Sequence, residues 1–275
     1  MSIPRFQRWK SAGAIALAVV AFGATSAQSR TTPAAPSAIG QRDADAVKVL
    51  QRMATFVSGL SSFRLAMDAS WDVVQRWGEK LEFGEQRMVT VRRPDSLRVD
   101  TTDRDGSSEV LVFDGRQLTV YRSAGNTWGS IALPGNIDQA LQVVTGQLGM
   151  RMPMSRMLGS GFGSEVGAWA HTIRSVGTSM IGGVACDHVA LSGDWEDVQL
   201  WISQGAQPLP QRVVVTYKRA EGHPQFRAQI RDWILNPAVP DSTFQFAAPA
   251  NATMAPVGSM LPSMQPAVPA LGAKP

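Results

Sequence analysis

Glu109-Val-Leu-Val-Phe-Asp-Gly-Arg-Gln-Leu-Thr-Val-Tyr121 is the stretch on which the reading of the fold turns. Two runs rich in β-branched and aromatic residues flank Asp114-Gly115. A tight turn needs positive φ, which glycine adopts without steric cost. The stretch therefore predicts a β-hairpin turning at Asp114-Gly115. Upstream, Phe63, Leu65, Met67, Ala69, Trp71 and Val73 alternate with Arg64, Ala66, Asp68, Ser70 and Asp72. A period of two places one row on a buried face and the other in water. A second long strand is expected over 81–93, after a turn near Gly78. Arg93-Pro94-Asp95 breaks it, because proline cannot donate to a central ladder, and 97–101 resumes. Before these strands, Val47, Leu50, Met53, Ala54 and Val57 recur at helical spacing after Asp43, which suits a helix start.

Downstream, 127–132 adds a short strand and the period then becomes helical. Ile137, Leu141, Val144 and Leu148 share one face, so a helix is expected over 137–148. Pro153 is expected to open a second short helix. Gly159-Ser-Gly-Phe-Gly163 reads as a break, and 164–170 as a third short helix. Strands return over 171–179, 184–191, 196–203, 211–219 and 225–234, and 239–246 closes the domain. These elements make one α+β domain with about ten antiparallel strands and two helical interruptions. A sheet of that size must curl or close, which places the helices on its concave face.

The ends carry no such pattern. Arg5, Arg8 and Lys10 precede an apolar run over 12–23, and Thr25-Ser26-Ala27 offers small residues for cleavage, so 1–27 reads as a secretory signal. Segment 28–42 is a flexible lead-in, 43–250 the domain, and 251–275 a disordered tail rich in Ala, Pro and Met. Without the signal, 23 of the 26 basic residues face 22 acidic ones. That balance argues against a nucleic-acid partner, which calls for a basic surface. The one cysteine, Cys186, lies far from the cleavage point. The expectation is a soluble periplasmic protein without a lipid anchor or internal disulfide, and a monomer.

Catalytic constellations are sparse. His171, His188 and His223 are scattered and form no HExxH pair, so no metal site is expected. The glycine run at 159–163 lacks the lysine of a phosphate loop. Asp68, Asp72, Glu82 and Glu85 could supply carboxylates, but their place within long strands favours a solvated face. In Cys186-Asp187-His188, Asp187 points away from its neighbours. Cys186 and His188 share a face with Cα atoms about 7 Å apart, and a buried cysteine beside a satisfied histidine is the plainer reading. No enzyme and no cofactor are expected; a hydrolase using Cys186 or His188 stands as an alternative. Met150, Met152, Met154 and Met157 crowd one short stretch. Methionine fills irregular apolar space and suits adaptable surfaces, so the cluster reads as core packing or as the cover of an apolar pocket. Trp71 and Phe83 lie on apolar phases, whereas Trp201 and Trp233 lie opposite Leu200/Ile202 and Ile230/Ile234.

Several segments together resemble a known family. They include Asp45-Ala-Val-Lys-Val-Leu50, Arg93-Pro-Asp-Ser-Leu-Arg98, Phe113-Asp-Gly-Arg-Gln-Leu-Thr-Val-Tyr121 and Asn136-Ile-Asp-Gln-Ala-Leu141. Gly183-Val-Ala-Cys-Asp-His188, Gln199-Leu-Trp-Ile202 and Phe244-Gln-Phe246 complete the set. The set, over about 43–250, is similar to the domain-of-unknown-function family of predicted periplasmic proteins within the LolA-like lipoprotein carrier superfamily. The resemblance implies a LolA/LppX-like curved antiparallel half-barrel wrapped around lid helices, with an apolar cavity between. It implies a non-enzymatic carrier or chaperone whose partner is a lipid, an acyl chain or a lipoprotein, with an envelope protein as a further partner. An envelope-sensing or protein-interaction module without a cavity is the alternative. On this reading the superfamily's lid-gripping arginine corresponds to Arg64. Candidate cavity residues are Leu65, Met67, Trp71 and Phe83 on the sheet. On the lid segment they are Leu141, Met150, Met154, Met157, Leu158 and Phe162.

Overall fold

Asp43 starts the first helix. Its carboxylate accepts from the backbone N–H groups of Asp45 and Ala46, satisfying donors that a helix start leaves unpaired. The helix, α1, is Ala44–Ser58, and it buries Ala46, Leu50, Met53, Ala54 and Val57. The computed structural model describes residues 41–148 and 153–260. The expected signal, the lead-in as far as 40, Met150, Met152 and residues 261–275 lie outside the described residues.

Six strands follow α1 as a meander: β1 Ser62–Val74, β2 Lys80–Arg92, β3 Ser96–Asp103, β4 Ser108–Phe113, β5 Gln117–Arg122 and β6 Thr127–Ala132. A connection over 133–171 holds α2, Ile137–Gln142, and α3, Phe162–Glu165. A second meander then runs through β7 Thr172–Ile181, β8 Val184–Ser192, β9 Glu196–Ser203, β10 Pro210–Tyr217 and β11 Gln225–Leu235. β1 pairs with β11 and joins the two meanders. The strand order is β12-β6-β5-β4-β3-β2-β1-β11-β10-β9-β8-β7, with β12 at Thr253–Met254. Among the described strands all pairings are antiparallel except β12 with β6, and Arg42 adds an isolated parallel bridge to Ile173 at the start of β7. The two end strands do not meet, so the sheet is curved and unclosed. Its inner face supplies Phe63, Leu65, Val91, Phe113, Val120 and Ile202, which pack in one core with α1 and α2.

Local chemistry corrects the sequence reading at four places. The β4–β5 turn uses Gly115 and Arg116 rather than Asp114 and Gly115. Asp114 N–H pairs with Gln117 O, and its carboxylate accepts from the N–H groups of Arg116 and Gln117. Gly115 has φ +84° at the first central position, where one class of hairpin turn requires glycine. The helix expected over 137–148 is regular only to Gln142. A wider π turn follows at Val143–Gln147, where the Thr145 hydroxyl bonds Leu141 O at 2.7 Å and competes for a helix carbonyl. The short helix expected from Pro153 is a 3-10 turn at Ser155–Leu158, entered through left-handed Met154 at φ +67°. The third short helix starts at Phe162 rather than 164 and ends at Glu165.

β11 carries a bulge where Arg64 pairs with Ile234 and Ala66 with Arg231. An extra residue inverts the phase of everything beyond it. Trp233 therefore turns inward against Phe63, with ring centroids 5.5 Å apart, while Ile234 is 53% exposed. Strict alternation places these two residues the other way round.

The tail expectation fails over 251–260. Phe244 and Phe246 pack on the outer face, Phe244 with Val112 and Phe246 beside Tyr121 and Trp128. The chain then rounds β6 as β12, and α4, Val257–Met260, buries Val257 and Met260 in the main core. Gly129 permits this passage, since a Cβ there would sit 2.3 Å from Ala255 O. Backbone cannot yield as a flexible side chain can, so Gly129→Val is expected to detach this segment and cost about 1–3 kcal/mol. Chemical denaturation compared with wild type measures it.

Candidate functional site

The inner face is unevenly filled. Over β1–β3 a void of about 20 Å³ lies between Leu65, Met67 and Val89 on the sheet and Met154, Met157 and Leu158 above. That is room for about one water. Over β8–β10 the cover stands away and leaves a cavity of about 270 Å³. Its floor is Leu191, Val198, Leu200, Val213, Val215 and Tyr217, and its roof includes Met53, Met154, Met157, Phe162, Val166 and Trp169. Alternation builds the floor, because residues two apart on neighbouring strands face the same side. The roof is irregular because glycines and proline break its helices, and methionine fits such a surface.

Two charged groups enter this apolar space, Glu196 from the start of β9 and Arg156 from the 3-10 turn. Burial raises the Glu196 carboxyl above its ordinary value of 4.5, and Arg156 opposes the shift only in part. The folded state thus holds the Glu196 proton more tightly than the unfolded chain does. Stability from neutral Glu196 is full below the unfolded value and is lost as pH rises through the folded one. Glu196→Gln does not titrate. It is expected to melt higher than wild type near neutral pH, with the gap closing toward about pH 4. Thermal melts at both pH values check this; a gap that widens on acidification contradicts it.

Arg93 ties the roof to the sheet. It follows β2, and its guanidinium donates to Leu60 O at 2.9 Å and Gly159 O at 3.1 Å, with longer bonds to Val57 O and Met157 O. One planar fork thus joins the C-terminal end of α1, where carbonyls lack helical partners, to the 3-10 turn. The guanidinium lies 5.5 Å from the Phe63 ring centroid. Burial lowers the Arg93 pKa, with the Asp138 carboxylate opposing, yet an arginine stays charged in any such setting. Asp138 also accepts from Ser160 N–H and Oγ, which closes α2 onto the same turn. Arg64 is not this clamp. Its row of β1 faces away from Phe63 and Leu65, and its Nε is buried with no described partner.

Of the residues singled out from sequence, Met154, Met157 and Phe162 line the cavity, while Leu65, Met67 and Leu158 border the small void. Leu141 is buried in the core. Trp71 and Phe83 are cross-strand partners and line neither space. The floor over β9 and β10 was missed, although Val198/Leu200 and Val213/Val215 carry the signal. Alternation reveals an apolar face; it does not reveal where the cover stands off.

Cys186 and His188 do not engage each other. The Cys186 thiol is buried, bonds Val184 O at 3.4 Å, and is pushed up by burial. His188 bonds Gln199 and stacks on Trp201, with centroids 4.1 Å apart. A protonated, covered thiol is a poor nucleophile. Among the described residues, no group of three or more His, Cys, Asp or Glu could hold a metal ion. Nor is any described helix long and apolar enough to cross a membrane. A second groove, of about 280 Å³, lies on the outer face between Val112, Thr119 and Phe246. Its lining is more polar.

The family described as "Predicted periplasmic protein (DUF2092)" matches residues 46–257. Among solved structures, the chain is similar to Mycobacterium tuberculosis lipoprotein LppX, at 13% identity and a TM-score of 0.46, over 72% of this chain and 98% of that one. LprF from Mycobacterium bovis has 14% identity and a TM-score of 0.46, over 76% and 98%. A LolA superfamily protein from Nitrosomonas europaea has 14% identity and a TM-score of 0.38, over 73% and 97%. No curated protein matches.

Proposed function

The chain belongs to the family of predicted periplasmic proteins described as DUF2092, and from that membership we propose that it is a non-enzymatic carrier or chaperone for an apolar ligand. The observation that carries the reading is the cavity of about 270 Å³ between β8–β10 and a methionine-containing roof. Ligand pockets are mostly apolar, with a few polar groups that set orientation, and Glu196, Arg156 and Tyr217 supply those here. Transfer of each methylene from water contributes about 0.8 kcal/mol. A chain of roughly eight methylenes therefore gains on the order of 6 kcal/mol before ordering costs, with no covalent step. The volume lies just below the roughly 300–1,000 Å³ range of such pockets. It suits one acyl chain or a compact apolar molecule; the several chains of a lipoprotein anchor need the roof to move.

The test is native mass spectrometry of protein recovered gently from the periplasm, with titration by a fluorescent fatty acid. A co-purified lipid and saturable uptake are expected. Protein without bound lipid and without saturable uptake would falsify the reading. One feature favours a protein partner instead. β7 is an end strand of the sheet. Residues 41–43 pair with it at Ile173 and Ser175; beyond them Val176 is 52% and Met180 63% exposed, and a strand edge there can pair with an extended peptide. Uptake absent while a peptide protects β7 amides from hydrogen exchange would favour that alternative.

A further inference from the structure

Three hairpin tips stand side by side at one end of the sheet, and they carry its two most exposed tryptophans. Trp77, 68% exposed, sits on the β1–β2 turn, and Trp195, 70% exposed, on the β8–β9 turn. The β10–β11 connection lies between them and is tied to both. Lys80 Nζ reaches His223 O at 3.5 Å on one side. On the other, Lys218 N–H donates to Trp195 O, Arg219 Nε donates to Asp194 O, and the Arg219 guanidinium lies 5.1 Å from the Trp195 ring centroid. Glu196 and Tyr217, which line the cavity, are the strand residues next to these tips. The cavity therefore runs to this rim.

We infer that this rim is a lipid-docking edge, on which Trp77 and Trp195 enter the headgroup layer of a bilayer beside the end of the cavity. Four strand spacings separate the two tips, about 19 Å, and the charged 218–224 connection fills the interval. Such a rim is a poor protein interface, which needs a contiguous patch of about 800 Å² with an apolar centre. A fluid headgroup layer has no such requirement and takes each indole separately. Tryptophan is enriched at that depth because its ring is apolar and its N–H is polar. The Trp77 Nε1 already donates to Glu79 at the tip.

Charge points to the same mode of contact. Arg76, Lys80, Lys218 and Arg219 are balanced by Glu79, Asp194, Asp197 and Glu221, with Lys218 paired to Asp197 at 3.3 Å and His171 beside Asp194. With no net field, the indoles and not counter-ions drive docking, so salt screening leaves it intact. The purpose of the edge, loading a cavity ligand directly from lipid, rests on the carrier reading; the docking itself does not.

The experiment is flotation of the exported full chain with phosphatidylethanolamine/phosphatidylglycerol vesicles at low and high salt. It compares wild type with Trp77→Ser, Trp195→Ser and the double variant, with fatty-acid uptake measured in parallel. Wild type is expected to float at both salt levels. The double variant is expected to partition on the order of tenfold more weakly, with melting temperature and uptake unchanged, since neither indole lines the cavity. Flotation that depends on the indoles without any fatty-acid uptake supports the docking edge and sinks the carrier reading alone. Wild type that does not float, a double variant that floats equally, binding abolished by salt, or a vesicle-free dimer lost in the variants each overturns the docking edge.

Discussion

Arg93→Met lowers the stability of the fold by about 3 kcal/mol and the melting temperature by roughly 10 °C, and it speeds exchange of any cavity ligand. The substitution keeps an apolar stem over Phe63 but removes all donors to the carbonyls of Leu60, Met157 and Gly159. Charge-assisted bonds of this kind exceed neutral ones, and acceptors left buried without a partner carry their full desolvation penalty. Lysine is a poor substitute. A single ammonium is a point donor and cannot span two elements as a planar fork does, so Arg93→Lys recovers only part of the loss. Melts of the three proteins and stopped-flow release of a fluorescent fatty acid measure both effects. An Arg93→Met protein with wild-type melting and release would mean that the roof is held by apolar packing alone. Arg64→Met, which removes no described bond to the roof, is expected to leave release unchanged.

Val198→Trp abolishes saturable fatty-acid uptake, or weakens it by at least about tenfold, while the protein still folds. Val198 is half-buried and faces the cavity from β9, so the added ring enters unfilled space rather than packed atoms. Filling a void adds contacts that were absent, so stability is maintained or rises, unlike insertion into a dense core. Phe83→Ala serves as the control. Phe83 lines neither inner space and is expected to leave uptake intact. Uptake unaffected by Val198→Trp but lost on Phe83→Ala would move the site to the β1–β2 side, where the described void is about 20 Å³.

Phe63, Leu65 and Met67 face the core as their alternation predicts, because a strand's facing is set by neighbours two positions away. Trp233 turns inward against its alternation, because one bulged residue at 232–233 inverts the phase, and nothing local in that run marks the bulge. The β4–β5 hairpin was legible, yet its turn is one residue later than Asp114-Gly115 suggests. Asp114 serves better as an acceptor beside the turn than within it. The family resemblance places the roof-holding arginine on a strand, at Arg64. Arg93 does that work from the break after β2, where a side chain can turn inward over the strand ends.

Periodicity, turn residues and caps by themselves determined the strands, the first helix and an apolar inner face. These depend on interactions between residues a few positions apart, which the order of amino acids displays directly. Only the tertiary structure decided that β1 closes on β11, that residues 253–260 wrap β6, and that the void opens over β8–β10. Each of those depends on contacts between residues distant in the chain. The space left between two irregular surfaces is a property of their fit, and neither surface carries it alone.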